Sequence, residues 1–126
     1  MEVFSFERLI AYQEARKLVV DIYTIVYELP IEERFGLGTQ LRRAAISITS
    51  NIAEGCGRIS FKEKIHFLEI SYGSLMEAFS QVQLCVDLGY IDQNDLDLIR
   101  PKFSYVGYLI NSVRKTYVEY LNRPDS

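Results

Sequence analysis

Four amphipathic stretches separated by glycine- or proline-bearing turns, with no segment of strand-like alternation, predict an all-α protein, an up-and-down antiparallel four-helix bundle. In each stretch apolar residues recur at spacings of three and four, the period that gathers them on one side of a helix. The connections are short, which favours antiparallel neighbours at small crossing angles, with seams like those of a coiled coil.

The first stretch runs from near Ser5 to Pro30, with Ala15, Leu18, Ile22, Ile25 and Leu29 on one side. A turn carrying Gly36 and Gly38 leads to the second, where Leu37, Leu41, Ala44, Ala45, Ile48 and Ile52 keep the period until Gly55 and Gly57. Ser60 and Glu63 form a Ser-x-x-Glu capping box that opens the third. Its seam is Ile65, Leu68, Tyr72, Leu75, Phe79, Val82 and Val86, and Gly89 is placed to stop it. Asp92 caps the fourth, with Ile91 and Leu96 stapling the entry, and Leu96, Ile99, Phe103, Val106, Ile110, Val113 and Tyr117 form its seam. Pro101 lies inside that pattern, removes a backbone donor and predicts a kink or short break near Arg100. The tail, Asn122 to Ser126, is expected to fray.

Residues 1–126 fit one domain, large enough to bury roughly two-thirds of the surface the unfolded chain exposes. With 48% hydrophobic and 25% charged residues, the chain is neither disordered nor of low complexity. Charges interrupt the apolar N-terminal stretch, and no small-residue cleavage site follows it, so a signal peptide is not expected. No apolar run approaches the ~18 residues a membrane span requires. Cys56 and Cys85 lack CxxC spacing and read as free thiols, which points to the cytoplasm. Cys56, between two glycines and beside Arg58, reads as structural in preference to reactive. A net charge of -3 gives no global attraction to nucleic acid or an anionic membrane, so any such binding needs a local patch.

Between Leu18 and Leu29 only Asp21, Thr24 and Glu28 are strongly polar, so the first helix is apolar around most of its circumference. One bundle core covers a single stripe. Val20, Tyr23 and Tyr27 lie on another face and are the expected interface of a homo-oligomer.

Catalytic constellations are sparse. Glu63 and His66 have the Glu-x-x-His spacing of di-iron bundles, but His66 is the only histidine, so one subunit cannot build such a site. Arg58 and His66 have seven residues between them, too many for the Arg-His motif of four-helix ribonucleases of the HEPN type. No catalytic triad, phosphate-binding loop or zinc set can be assembled, and no cofactor is expected. A polar stripe is more informative: Gln40, Arg43, Ser47, Asn51 and Glu54 share one face of the second helix, and Ser74, Glu77 and Gln81 do the same on the third. It reads equally as a solvated face or as a polar seam between helices or subunits. Arg42 with Arg43, and Arg58 with Lys62 and Lys64 near the start of the third helix, where exposed N–H groups favour anions, are candidate nucleic-acid contacts. An ordinary charged surface, with Glu54 and Glu63 as partners, is the preferred account of them.

The blocks Gln40-Leu41-Arg42-Arg43-Ala44-Ala45-Ile46-Ser47-Ile48, Asn51-Ile52-Ala53-Glu54-Gly55 and Gly57-Arg58 carry a resemblance, as do Phe67-Leu68-Glu69-Ile70, Gly73-Ser74-Leu75 with Glu77, and Leu88-Gly89-Tyr90-Ile91. With these the chain resembles the bacterial four-helix-bundle proteins first noticed as products of intervening sequences in 23S ribosomal RNA genes. The resemblance implies a bundle that assembles into a ring, typically a pentamer. A relative, the accessory protein of diversity-generating retroelements, forms such a ring, binds nucleic acid and partners a reverse transcriptase. The family has no established activity, and the resemblance implies no structural place in the ribosome. Thr49 stands where the family often has proline, Ser71 where it has alanine, and a pI near 5.2 departs from the basic retroelement relative.

The expected function is therefore that of a non-enzymatic, ring-forming interaction protein with an RNA or protein partner and no membrane association. The alternative is a metal-dependent or RNA-processing enzyme using Glu63 and His66.

Overall fold

The computed structural model describes residues 3–124. They form four long helices, α1 (Ile10–Glu28), α2 (Leu37–Gly57), α3 (Phe61–Asp87) and α4 (Gln93–Leu121), with single 3-10 turns at Ser5–Arg8 and Ile31–Glu33. There is no strand among the described residues. α1 packs on α2 and α4, and α3 packs on the same two, so α1 and α3 stand at opposite corners. Numbers rise along one helix as they fall along its neighbour. Ser47 meets Ser74 while Gly55 lies against Lys64, and Phe79 meets Phe103 while Gly107 lies against Leu75. This is the up-and-down antiparallel four-helix bundle that the periodicity predicts.

Leu18, Ile22, Leu41, Ile48, Ile52, Leu68, Leu75, Val82 and Ile110 are fully buried in one core, all from the predicted seams. Tyr72, Phe79, Val86, Val113 and Tyr117 pack half-buried against its edge. Truncating one of the buried leucines or isoleucines to alanine costs ~2–5 kcal/mol, a large share of a small domain's stability.

The helix ends follow local chemistry. Gly89 has φ +80, and the Tyr90 and Gly89 amides donate to the Cys85 and Val86 carbonyls at 2.8 and 3.0 Å, a Schellman motif that ends α3. Asp92 and Asp95 make reciprocal cap bonds at the start of α4, and Ile91 and Leu96 are both buried beneath it. At α3 only half of the expected box forms. Ser60 Oγ accepts from the Glu63 amide at 3.1 Å, while the Glu63 carboxylate turns to Arg58 at 3.8 Å. The first helix is also divided: Leu9 is extended, so the turn at Ser5–Arg8 is separate from α1.

Pro101 does not break α4, which runs unbroken from Gln93 to Leu121. Both Pro101 and Asp97, whose carbonyl loses its i+4 donor, are exposed, so water can satisfy that carbonyl. α4 ends at Leu121, and of the tail expected to fray Asp125 and Ser126 lie outside the described residues. No helix among the described residues is long and apolar enough to cross a membrane.

Candidate functional site

α2 and α3 approach closely because small residues line their contact. A Cβ on Gly55 would stand 3.2 Å from both the Lys64 carbonyl oxygen and Phe67 Cβ. One turn further along the seam the buried Ser71 hydroxyl donates to the Ile48 carbonyl at 2.7 Å. Beside it the Ser47 and Ser74 hydroxyls are 2.7 Å apart, and Asn51 Nδ2 donates to the Ser47 carbonyl and hydroxyl oxygens at 2.8 and 2.9 Å. Of the predicted polar stripe, then, Ser47, Asn51 and Ser74 form one half-buried cluster.

The rest of the stripe divides. Glu54 accepts from Arg58 at 3.2 Å, and Glu77 accepts a 3.4 Å bond from Gln81 Nε2, while the buried Gln81 Oε1 has no hydrogen-bond partner among the described residues. Gln40 and Arg43 are exposed, and with Ser47, Ser74 and Glu77 they line a polar cleft of about 370 Å³ between α2 and α3.

The five basic residues do not form one patch. Arg42 donates to the Arg34 carbonyl and to Thr39 Oγ1, both at 3.1 Å. Arg58 pairs with Glu54 and Glu63 and lies 4.6 Å above the Phe67 ring, clamping the end of α2 to the start of α3. Lys64 donates to the Cys56 carbonyl at 2.9 Å, where the last turn of α2 needs donors. Arg43 and Lys62 are exposed and make no such contact among the described residues, and Arg43 stands roughly 20 Å along α2 from the Arg58 end at 1.5 Å per residue.

Two apolar features face outward. Val20 is 66% and Tyr27 81% exposed on α1, with Tyr23 half-buried between them and its ring edge-on to that of Tyr27 at 6.4 Å. They form a ridge. Between α3 and α4 runs a groove of about 430 Å³ with Met76, Phe79, Phe103 and Tyr108 in its walls and Arg100 at one end.

Near the start of α3 the enzyme-like residues are dispersed. His66 is exposed with its ring edge-on to Phe67 at 5.5 Å, and Glu63 belongs to the Arg58 clamp. No group of three His, Cys, Asp or Glu side chains among the described residues is placed to hold a metal ion. Burial raises the Cys56 thiol pKa, outweighing the Tyr117 hydrogen bond and the Lys64 charge that lower it, so its thiolate is disfavoured.

Residues 7–112 match the family model of the 23S rRNA-intervening sequence protein. The chain belongs to that family. A crystal structure from Bacteroides thetaiotaomicron, of a protein with unknown function from the S23 ribosomal protein family, is similar with a TM-score of 0.77. The two are 21% identical over 84% of this chain and 99% of that one, a likeness in fold. No curated protein matches the chain.

In this member of the intervening-sequence protein family, the motif residues of α2 thus serve three separate contacts: the serine–asparagine cluster, the Arg58 clamp and the cleft rim. Sequence reasoning missed two ties. Ser71 stood out only as a departure from alanine, and its bond to the α2 backbone has no side-chain partner to reveal it. The Tyr90 hydroxyl donates to Glu33 at 2.7 Å, joining the α1–α2 and α3–α4 connections, and the Glu33 carboxylate raises the phenol pKa. Separated by so much sequence, that pair leaves no periodic signal.

Proposed function

We propose that this protein is a non-enzymatic interaction protein that assembles into a ring, five-membered by family resemblance, and presents its bundles to a partner. The observation that carries this reading is the α1 ridge. Val20 and Tyr27 are mostly exposed on a helix whose opposite face is already in the core, and apolar area of that kind gains about 25 cal/mol per Å² when covered. Light scattering at micromolar concentration tests it, with a particle of five chains expected. A monomer would overturn the assembly.

RNA as the partner is a second reading, supported by Arg43 and Lys62, the two candidate cations that are exposed and make no hydrogen bond or ion pair among the described residues. Repetition around a ring would let weak phosphate contacts add, raising apparent affinity roughly a hundredfold or more. Titration of a structured RNA at low and near-physiological salt should then show steep salt weakening and loss on changing both residues to glutamine. Binding indifferent to those changes, or none at low salt, would leave a protein as the partner.

A further inference from the structure

We infer that the α3–α4 groove of one copy receives the α1 ridge of the next, so that the contact between copies is head-to-tail. The inference rests on the ring-forming reading above and identifies the two surfaces that mate.

Shape and chemistry are complementary. The ridge is convex, apolar and aromatic; the groove is concave, with Met76 and Tyr108 exposed along it, Phe79 half-buried in its wall and the buried Phe103 at its floor. Ridge against ridge would leave the groove empty. The ion pair of Lys102 with Asp21, 2.9 Å long, fixes α1 against α4, so Val20 stands level with Phe103 and Tyr23 level with Arg100. Copies placed side by side with parallel bundle axes therefore set Val20 and Tyr23 against the Phe103 and Arg100 end of the groove, with Tyr27 about one turn beyond it, level with Leu96.

Charge completes the match. Arg100 lies 4.9 Å over the Phe79 ring and makes no ion pair among the described residues, and Glu28, at the end of the ridge, makes none there either. Their levels differ by five residues, roughly 7.5 Å at 1.5 Å per residue, which the two long side chains bridge. A contact between two different surfaces repeats until it closes or grows without end. The α1 corner and the α3–α4 groove are not diametrically opposed, so repetition curves toward closure.

The test is complementation between two variants of the full chain, Val20→Glu with Tyr27→Glu on the ridge and Ser104→Glu with Tyr108→Glu in the groove. Circular dichroism confirms that each is helical. Each alone should be a monomer, with assembly weakened about thirtyfold or more. Mixed in equal amounts they should form a dimer and stop, because only one intact ridge and one intact groove remain. Glu28→Arg should weaken assembly, and Arg100→Glu in the same chain should restore it. An assembled groove variant, or a mixture that stays monomeric, overturns the head-to-tail contact while leaving a ring-forming wild type in place. A monomeric wild type overturns both readings.

Discussion

The Ser71 hydroxyl, buried in the middle of α3, donates a 2.7 Å hydrogen bond to the main-chain carbonyl of Ile48 in α2. It ties two helices through a backbone atom that no substitution at position 48 can remove. Ser71→Ala should lower the unfolding free energy by about 1 kcal/mol, since one buried hydrogen bond is lost and the cavity is small. Ser71→Val should cost more, about 1–3 kcal/mol, because the extra carbon must fit a close helix contact. Urea unfolding of both variants measures the difference, and a Ser71→Ala chain more stable than wild type would refute the role given to the bond.

Gly55→Ala should destabilise although alanine is the better helix former. The gain in propensity is about 1 kcal/mol. Against it stands a new methyl group 3.2 Å from the Lys64 carbonyl oxygen and from Phe67 Cβ, atoms that cannot yield without moving α3. Overpacking of that kind costs about 1–3 kcal/mol, so the net effect is a lower thermal midpoint. A raised midpoint would mean that the α2–α3 contact is looser than described.

Pro101→Ala should stabilise the chain. α4 is continuous through this position, so alanine needs no change of path and restores a backbone donor on an exposed turn. The gain is about 1–3 kcal/mol from the intrinsic difference between the residues. Equilibrium unfolding checks it; a loss of stability would show that the proline geometry is built into the α4 packing.

High pH should unfold the protein before it affects an average helical bundle. Burial pushes the Cys85 thiol up to about 11 and the Tyr117 phenol up to about 12. Both groups hold their protons more tightly folded than unfolded, so the folded state binds more protons between their ordinary values and these raised ones. Stability is therefore fully present below pH ~9 and falls as pH rises toward 12. Cys85→Ala with Tyr117→Phe should flatten that fall. The same burial predicts that Cys85 reacts with a thiol reagent at neutral pH only after unfolding.

What the sequence revealed, and what it hid, follows from the range of each interaction. Seam residues such as Leu41, Ile48, Leu68 and Leu75 were legible because a helix repeats its core contact every three or four positions. Gly89 and Asp92 were legible because caps are local. The division after Arg8 was not, since Leu9 carries no capping side chain to announce a helix start. The polar stripe was seen as a face, but its division was hidden. Whether Glu54 turns to Arg58 or joins Asn51 depends on where α3 begins in space, and periodicity along α2 is silent on that. For Pro101 the solvent exposure of the turn decided the outcome, and a linear reading does not show it.

The order in which the helices touch also sets a sequence of events in time. Three of the four helix pairings join neighbours along the chain, and only α1 with α4 closes the full length, through the sparsest of the four contacts. Local pairings shorten the search, so refolding should be fast for a chain of this size. The α2–α3 hairpin, with the densest contact and the Ser71 tie, is placed to form first, while the α1–α4 seam bears the largest loop-closure cost and should zip last. On unfolding the same seam opens first. Amide exchange should accordingly be fastest there, releasing α1, with its ridge of Val20 and Tyr27, before the rest of the molecule loosens.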